Sequence, residues 1–317
     1  MATNVQGYNA GAGVTQLSNE NAEYYQNAML ERLLPELNFM KYGQQKTIPK
    51  NSGALTSFRR LNNLAVSTTA LTEGVTPDGV DLSISKISAT VQEYGNYTKI
   101  SDFISLTGLD PLLTETVQLM GQNAGQVIDA IVGSIVAAGT TVVYANGVAS
   151  RLTVASKILI SDILKVRRGL KSANVKPISL PNGQKGYLAF ADPFVITDLM
   201  QTQEWRDQNT YVDVANRIAG IAGEMYGIYF LENPTAVLKY AGAGAGSADV
   251  YATIFIGDGA YGVPDISGSS KPDIIVIPPE VAGGPLKQWS TVGWKARLTA
   301  IRLQELAIIR LETTASL

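Results

Sequence analysis

Hydrophobic and polar positions along the chain change period several times, and each change marks a predicted element. Residues 1–17 are rich in Gly, Ala, Asn and Gln with little to bury, which predicts a mobile arm. Ser18 then offers an N-cap, and Tyr25, Met29, Leu33 and Leu37 recur every fourth residue while Glu20, Glu23 and Glu31 fall on other faces. That spacing predicts a helix. Pro35 lies inside it and predicts a kink or an early stop near Leu34.

Alternation replaces the helical period between residues 44 and 103. Ser57, Arg59 and Leu61, then Val80, Leu82 and Ile84, then Ile87, Ala89 and Val91 share faces as strand residues do. Thr76-Pro77-Asp78-Gly79 between the halves is a turn sequence. The pattern predicts one long antiparallel ribbon. Arms of roughly fifteen residues at ~3.3 Å each reach about 50 Å. A compact body of this chain length has a radius of gyration of about 20 Å, so the ribbon is expected to protrude. A two-stranded hairpin alone in water is marginal, so something outside the subunit is expected to cover it.

The clearest helix follows. Asp110 and Pro111 suit its cap and first position, and Leu113, Val117, Met120, Ala124, Val127, Ile131 and Ile135 recur at spacings of three and four. At ~1.5 Å per residue, residues 111–138 make a rod of about 40 Å, a spine. Gly121, Gly125 and Gly133 within it each cost roughly 1 kcal/mol against alanine, which predicts close approach of a neighbouring backbone.

Residues 150–285 read as mixed α/β. A helix is predicted over residues 161–173, starting on Ser161 and ending with Arg167, Arg168 and Lys171. Strands are predicted at residues 187–191, 228–231, 250–256 and 274–277, with a helix opened by Asp192-Pro193 running to Met200. Residues 242–247 form a small-residue loop. Near the end, Val292, Trp294, Ala296, Leu298 and Ala300 alternate with Lys295, Arg297 and Thr299, and strand character resumes over residues 307–311.

Composition narrows what such a chain can do. The length of 317 residues allows two or three compact units. Only 16% of residues are charged, against about a quarter in a typical soluble domain, which fits a chain that buries area against copies of itself. Cysteine and histidine are both absent, which excludes a disulfide framework, a conventional zinc site, a Ser-His-Asp triad and a Cys-His pair. The net charge of -2 excludes a dedicated DNA-binding domain. No apolar run approaches the ~20 residues of a membrane span, and residues 1–15 lack the regions of a signal peptide, so cytoplasmic assembly is expected.

The remaining chemistry has plain structural explanations. Lys165, Arg167, Arg168 and Lys171 could touch nucleic acid, but cations near a helix C-terminus also complement its dipole. Gly242, Gly244 and Gly246 lack the spacing of a phosphate loop. Among the carboxylates Glu73, Asp78, Asp102, Asp110, Asp192 and Asp198, Asp110 and Asp192 are predicted caps and the others show no metal-ligand spacing. Trp205, just past a predicted helix, and Trp294 are expected in packing roles, with no ligand platform. No catalytic, cofactor or metal residue is predicted.

In order along the chain stand Leu30-Glu31-Arg32-Leu33, Ile48-Pro49-Lys50-Asn51, Phe58-Arg59-Arg60 and Leu71-Thr72-Glu73-Gly74-Val75-Thr76-Pro77-Asp78-Gly79. Ile100-Ser101-Asp102, the spine, Asp249-Val250-Tyr251-Ala252-Thr253 and Thr291-Val292-Gly293-Trp294-Lys295 follow. Together they resemble the major capsid proteins of tailed bacteriophages related to the coat protein of coliphage N-four. The resemblance spans about residues 24–312, and the run from Leu71 is its most specific part.

The resemblance implies an α+β, Hong Kong 97-like capsid fold. Residues 1–43 would form an N-terminal arm and helix, 44–103 an extended β-hairpin E-loop, and 104–149 a peripheral domain with a long spine helix. Residues 150–285 would form an axial α/β domain and 286–317 the C-terminal strands of the peripheral domain. It implies self-assembly into the pentamers and hexamers of an icosahedral head shell around double-stranded DNA, with no enzymatic role. Leu71, Glu73, Val75, Pro77, Asp78, Val80 and Leu82 at the E-loop tip would touch a neighbouring subunit, and Arg167 and Arg168 are candidate axial contacts. Scaffolding, portal and decoration proteins are possible partners, DNA contact is weak and non-specific, and no membrane is involved. The alternatives are an encapsulin-like nanocompartment shell and a carboxylate-dependent enzyme.

Overall fold

A computed structural model describes residues 29, 37–61, 64, 68, 70, 73–74, 76, 79–107, 112–180, 183–210, 220–266, 271–282 and 286–316. The arm at residues 1–17 and the Asp110-Pro111 cap lie outside these residues. So does most of the helix predicted after Ser18, of which Met29 is helical and fully buried.

The described chain opens with a helical turn α1 (Phe39–Tyr42) and strand β1 (Gln44–Ile48). The ribbon strands β2 (Leu55–Leu61) and β3 (Ile84–Thr90) follow, then β4 (Gln92–Ser101), α2 (Asp102–Thr107) and the spine α3 (Leu112–Ala137). Next come β5 (Val142–Tyr144), α4 (Ile160–Ser172), β6 (Ile178–Ser179), β7 (Lys185–Ala191), α5 (Pro193–Met200) and α6 (Gln203–Thr210). Strands β8 (Ile221–Met225), β9 (Ile228–Glu232), β10 (Lys239–Tyr240), β11 (Val250–Ile256), β12 (Tyr261–Ile266) and β13 (Asp273–Ile277) lead to α7 (Pro279–Ala282). The described chain closes with β14 (Trp289–Leu298), β15 (Ile301–Arg302) and β16 (Ile308–Thr313).

Two large sheets form. The first runs β1-β12-β14-β13, with β4 also on β14 and β15 on β12; the second runs β5-β16-β11-β7-β9-β8, with β10 on β11 and β6 on β7. The sheets do not divide the chain at residue 285: β12 and β13 join β14 in the first, whereas β16 crosses to the second.

At its root the ribbon begins later than its alternation predicts. Among the described residues it is the separate two-stranded sheet of β2 and β3, seven residue pairs from Leu55↔Thr90 to Leu61↔Ile84. The flanking strands belong to the body, where β1 pairs β12 in parallel and all ten residues of β4 pair β14. Alternation marks a strand but does not name its partner, and the paired residues of β4 and β14 lie 188 to 206 positions apart. Val80 and Leu82, expected in the second arm, precede β3 without regular structure.

The spine helix forms where its spacing predicts, but its buried stripe drifts by one residue: Val117 and Ala124 are fully buried as expected, whereas the predicted Val127, Ile131 and Ile135 are half-buried against the same core. Val117, Ala124, Ile128, Val132 and Val136 are each fully buried and form one stripe on α3. Facing it, Val292, Trp294, Ala296 and Leu298 of β14 are at most 2% exposed, while Lys295 and Arg297 alternate outward. The Trp294 indole donates to Asn123 Oδ1 at 3.1 Å, which orients the ring in the helix–sheet interface. At Gly121 a β-carbon would stand 2.4 Å from the Met29 carbonyl oxygen, the close backbone approach expected there. At Gly133 the intruder is a side chain, the Phe39 ring.

Local capping differs in one helix. Asp192 accepts the Phe194 N–H at 3.0 Å and Pro193 takes the first turn, as predicted. Ser161 is no cap: α4 starts at Ile160 after an extended Leu159. Trp205 does not merely follow a helix; it sits inside α6, 3% exposed, edge-on to Phe230 at 5.3 Å.

Two buried carboxylates fasten distant segments. Glu312 of β16 is fully buried and receives Arg151 through two bonds of 2.6 and 2.7 Å, with Arg310 at 2.8 Å. Asp129, two-thirds of the way along the spine and 1% exposed, accepts the Phe39 N–H at 2.7 Å and the Asn233 side-chain amide at 2.9 Å. The Tyr261 hydroxyl donates to the Phe39 carbonyl, completing the grip on that residue. Nothing in the sequence announces this node, since its partners lie far apart along the chain.

Burial outweighs these donors and raises the Asp129 pKa above its ordinary value. The folded chain therefore holds the proton more tightly than the unfolded chain. Asp129's contribution is most favourable below the unfolded pKa and declines as pH rises through the raised one. Asp129→Ala should cost about 3 kcal/mol or more in urea unfolding, because two buried donors lose their acceptor. Asp129→Asn removes the titration, so its urea midpoint should gain on the native one as pH rises through that window. A gap that stays constant with pH would show that the carboxyl does not titrate between the folded and unfolded states.

Candidate assembly surfaces

The ribbon has two unlike faces, set by its register. Thr56 and Phe58 stand opposite Ala89 and Ile87 on the inner face and are only 6% and 7% exposed. The Phe58 ring lies over Gly262 of β12, where a β-carbon would come within 2.7 Å of it. Lys46 Nζ lies over that ring, 5.1 Å from its centroid, and donates to the Ser57 carbonyl. Val91 N–H bonds to the Ala54 carbonyl at 2.9 Å and closes the ribbon root. The ribbon is thus seated by one aromatic contact at its base.

The outer face has no such cover. It carries Leu55, Ser57 and Arg59 opposite Thr90, Ser88 and Lys86, with Leu55 62% and Ile84 55% exposed. Beyond the paired region Val80 and Leu82 are also exposed, as is Glu73. Leu71, Val75, Pro77 and Asp78 of the predicted tip lie outside the described residues. Of the predicted contact set, Glu73, Val80 and Leu82 are therefore the members with a described position, and all three face solvent.

A second surface escaped the sequence reading. The face of the first sheet away from the spine holds a trough of about 500 Å³, floored by Gly95 and Gly293 and walled by Tyr97, Ile275 and Ile277. On the same face Glu93 lies 2.8 Å from Lys295 and 2.7 Å from Arg297. Hydrogen bonds from those two cations hold its carboxyl below its usual range. The alternation of Lys295 and Arg297 signalled an outer face, but their partner is 204 residues from Arg297 and left no local trace.

The basic helix α4 is partly used within the subunit. Lys165 pairs with the fully buried Asp162 at 2.8 Å, and Asp162 also accepts the Asn146 N–H at 3.0 Å. Arg168 is exposed and Arg167 half-buried near Tyr187, whose pKa burial raises, with the Arg167 charge opposing that shift only in part. Lys239 and the Gly242 N–H share Asp249, which orders the small-residue loop. Among the described residues no group of three or more acidic side chains could hold a metal ion, and no helix is long and apolar enough to cross a membrane.

A family model described as phage capsid protein matches residues 85–310, starting within β3. Among solved structures, the capsid of Ralstonia phage GP4 superposes with a TM-score of 0.70 at 15% identity, covering 87% of this chain and 87% of that one. The capsid asymmetric unit of cyanophage Pam1 gives 0.64 at 14% identity, with 99% and 98% covered. The head structure of Helicobacter pylori bacteriophage KHP40 gives 0.63 at 14%, with 86% and 87% covered. The fold is thus shared with these structures although few residues are. No curated protein matches the chain in sequence.

Gly262→Ala tests how the ribbon is seated. The added methyl should displace Phe58, leave the body's thermal unfolding within a few degrees of native, and speed proteolytic cutting in the ribbon roughly tenfold. Unchanged cleavage would mean that Phe58 does not hold the ribbon.

Proposed function

The chain belongs to the phage capsid protein family and forms the head shell with copies of itself, and from this we propose that each ribbon lies across the next subunit within pentamers and hexamers. The observation that carries the proposal is the ribbon's uncovered outer face. Leu55, Val80, Leu82 and Ile84 are 62%, 55%, 61% and 55% exposed, on a segment with no core of its own. Burying what remains of each stabilises by roughly 1–2 kcal/mol. Association itself costs about 4–15 kcal/mol in lost freedom, so burial of these four side chains does little more than offset it. Closed rings solve this, because each copy both gives a ribbon and receives one.

On this reading the ribbon is the E-loop, and the first sheet with the spine is the peripheral domain. The second sheet with α4 is the axial domain, which puts Arg167 and Arg168 near capsomer centres. The chain's role is structural and no reaction is assigned to it. A net charge of -2 suits a wall that touches packaged DNA weakly. Portal, scaffolding and decoration proteins are its expected partners, and assembly takes place in the host cytoplasm before the protein resides in the virion head.

Deleting residues 71–82 should abolish shells in electron micrographs while the subunit still unfolds cooperatively on heating. Shells of normal size and yield from the shortened chain would end the ribbon-on-neighbour proposal.

A further inference from the structure

The ribbon separates its charges into two blocks. Its paired strands carry Arg59, Arg60 and Lys86 and no acid, whereas residues 62–83 carry Glu73, Asp78 and Asp81 and no Lys or Arg. The register makes the basic block unfavourable in a lone subunit. Arg59 stands directly opposite Lys86, and like charges so placed repel.

Arg59 and Arg60 also border a hollow of about 380 Å³ between the ribbon root and the turn after α4. Across it lie Asn174 and Lys176, and Asp258 is the one carboxylate among the residues that line it. Ile87, Val175 and Leu303 add apolar wall. Among the described residues, none of Arg59, Arg60, Lys86 and Lys176 forms an ion pair. Arg60, on the same ribbon face as Phe58, and Lys176 therefore face one acid around a space large enough for side chains from elsewhere, with Arg59 at its rim.

We infer that this hollow receives the acidic end of a second copy's ribbon, with Glu73 and Asp81 supplying the carboxylates. The inference rests on the ribbon-on-neighbour proposal and says where on the neighbour the ribbon ends. Both acids are exposed. Val80 and Leu82 flank Asp81 and are exposed as well, so the incoming segment matches both the cations and the apolar wall. Giving and receiving sites lie on different parts of one chain. The contact is therefore head-to-tail, the kind that generates rings.

Charge reversal in the full chain tests this. The root variant carries Arg60→Glu with Lys176→Glu, and the tip variant carries Glu73→Lys with Asp81→Lys. Shell yield is read by light scattering and electron microscopy, and thermal unfolding checks each fold. Each reversal alone should cut yield roughly tenfold or more, and the two combined in one chain should restore most of it. Native yield from either single reversal, or a combination no better than the singles, overturns the inference. If those reversals assemble normally while deletion of residues 71–82 does not, the ribbon still contacts its neighbour and only the receiving site is wrong. If the deletion also assembles, both fall. Intact shells with weakened DNA retention in the root variant would make the hollow a phosphate site and equally overturn the inference. Should a reversed chain not fold, Arg60→Gln with Lys176→Gln takes its place. Its shells should dissociate at lower salt than native shells, and an unchanged salt midpoint counts against the inference.

Discussion

Phe39 is where the three layers of the subunit meet. Its amide is held by Asp129 of the spine and its carbonyl by Tyr261 of the first sheet. Its ring lies 4.3 Å from that of Phe190 in the second sheet and presses on Gly133 of the spine. A fully buried residue bonded at both backbone groups and packed on its side chain has little freedom left. The relative setting of the two sheets depends on it, and the setting of the sheets fixes where the ribbon points.

That rigidity has a direct line to the ribbon. After a single intervening residue, β3 passes into β4, which is zipped to β14 along its whole length. Because β14 packs on the spine, a load on the ribbon passes into the most deeply buried part of the body and not into a loop. The ribbon root is a small contact on a firm base. This division suits a subunit whose neighbours are held by modest surfaces repeated many times.

Much of this was legible along the chain. The spine, β7, β11, the Asp192-Pro193 helix start and the buried face of β14 follow from local period and capping chemistry. The capsid family follows from motifs strung in order. What stayed hidden is long-range. The ribbon reads across the whole of residues 44–103 because nothing local separates β1 and β4 from the ribbon strands, although their partners are β12 and β14. The Asp129 node, the Glu93 cluster and the root hollow join residues far apart in sequence, and no local pattern encodes them. Of the candidate contacts, Glu73, Val80 and Leu82 are exposed as a contact segment must be, and their partner surface is a matter for assembly experiments.

The seat of Phe58 on Gly262 also bears on the shape of the assembly. If ribbons bind head-to-tail, the pitch of that ring against the β12 backbone is repeated at every junction. A constant small tilt then accumulates around the polymer, and it decides whether successive subunits return to their starting point or climb past it.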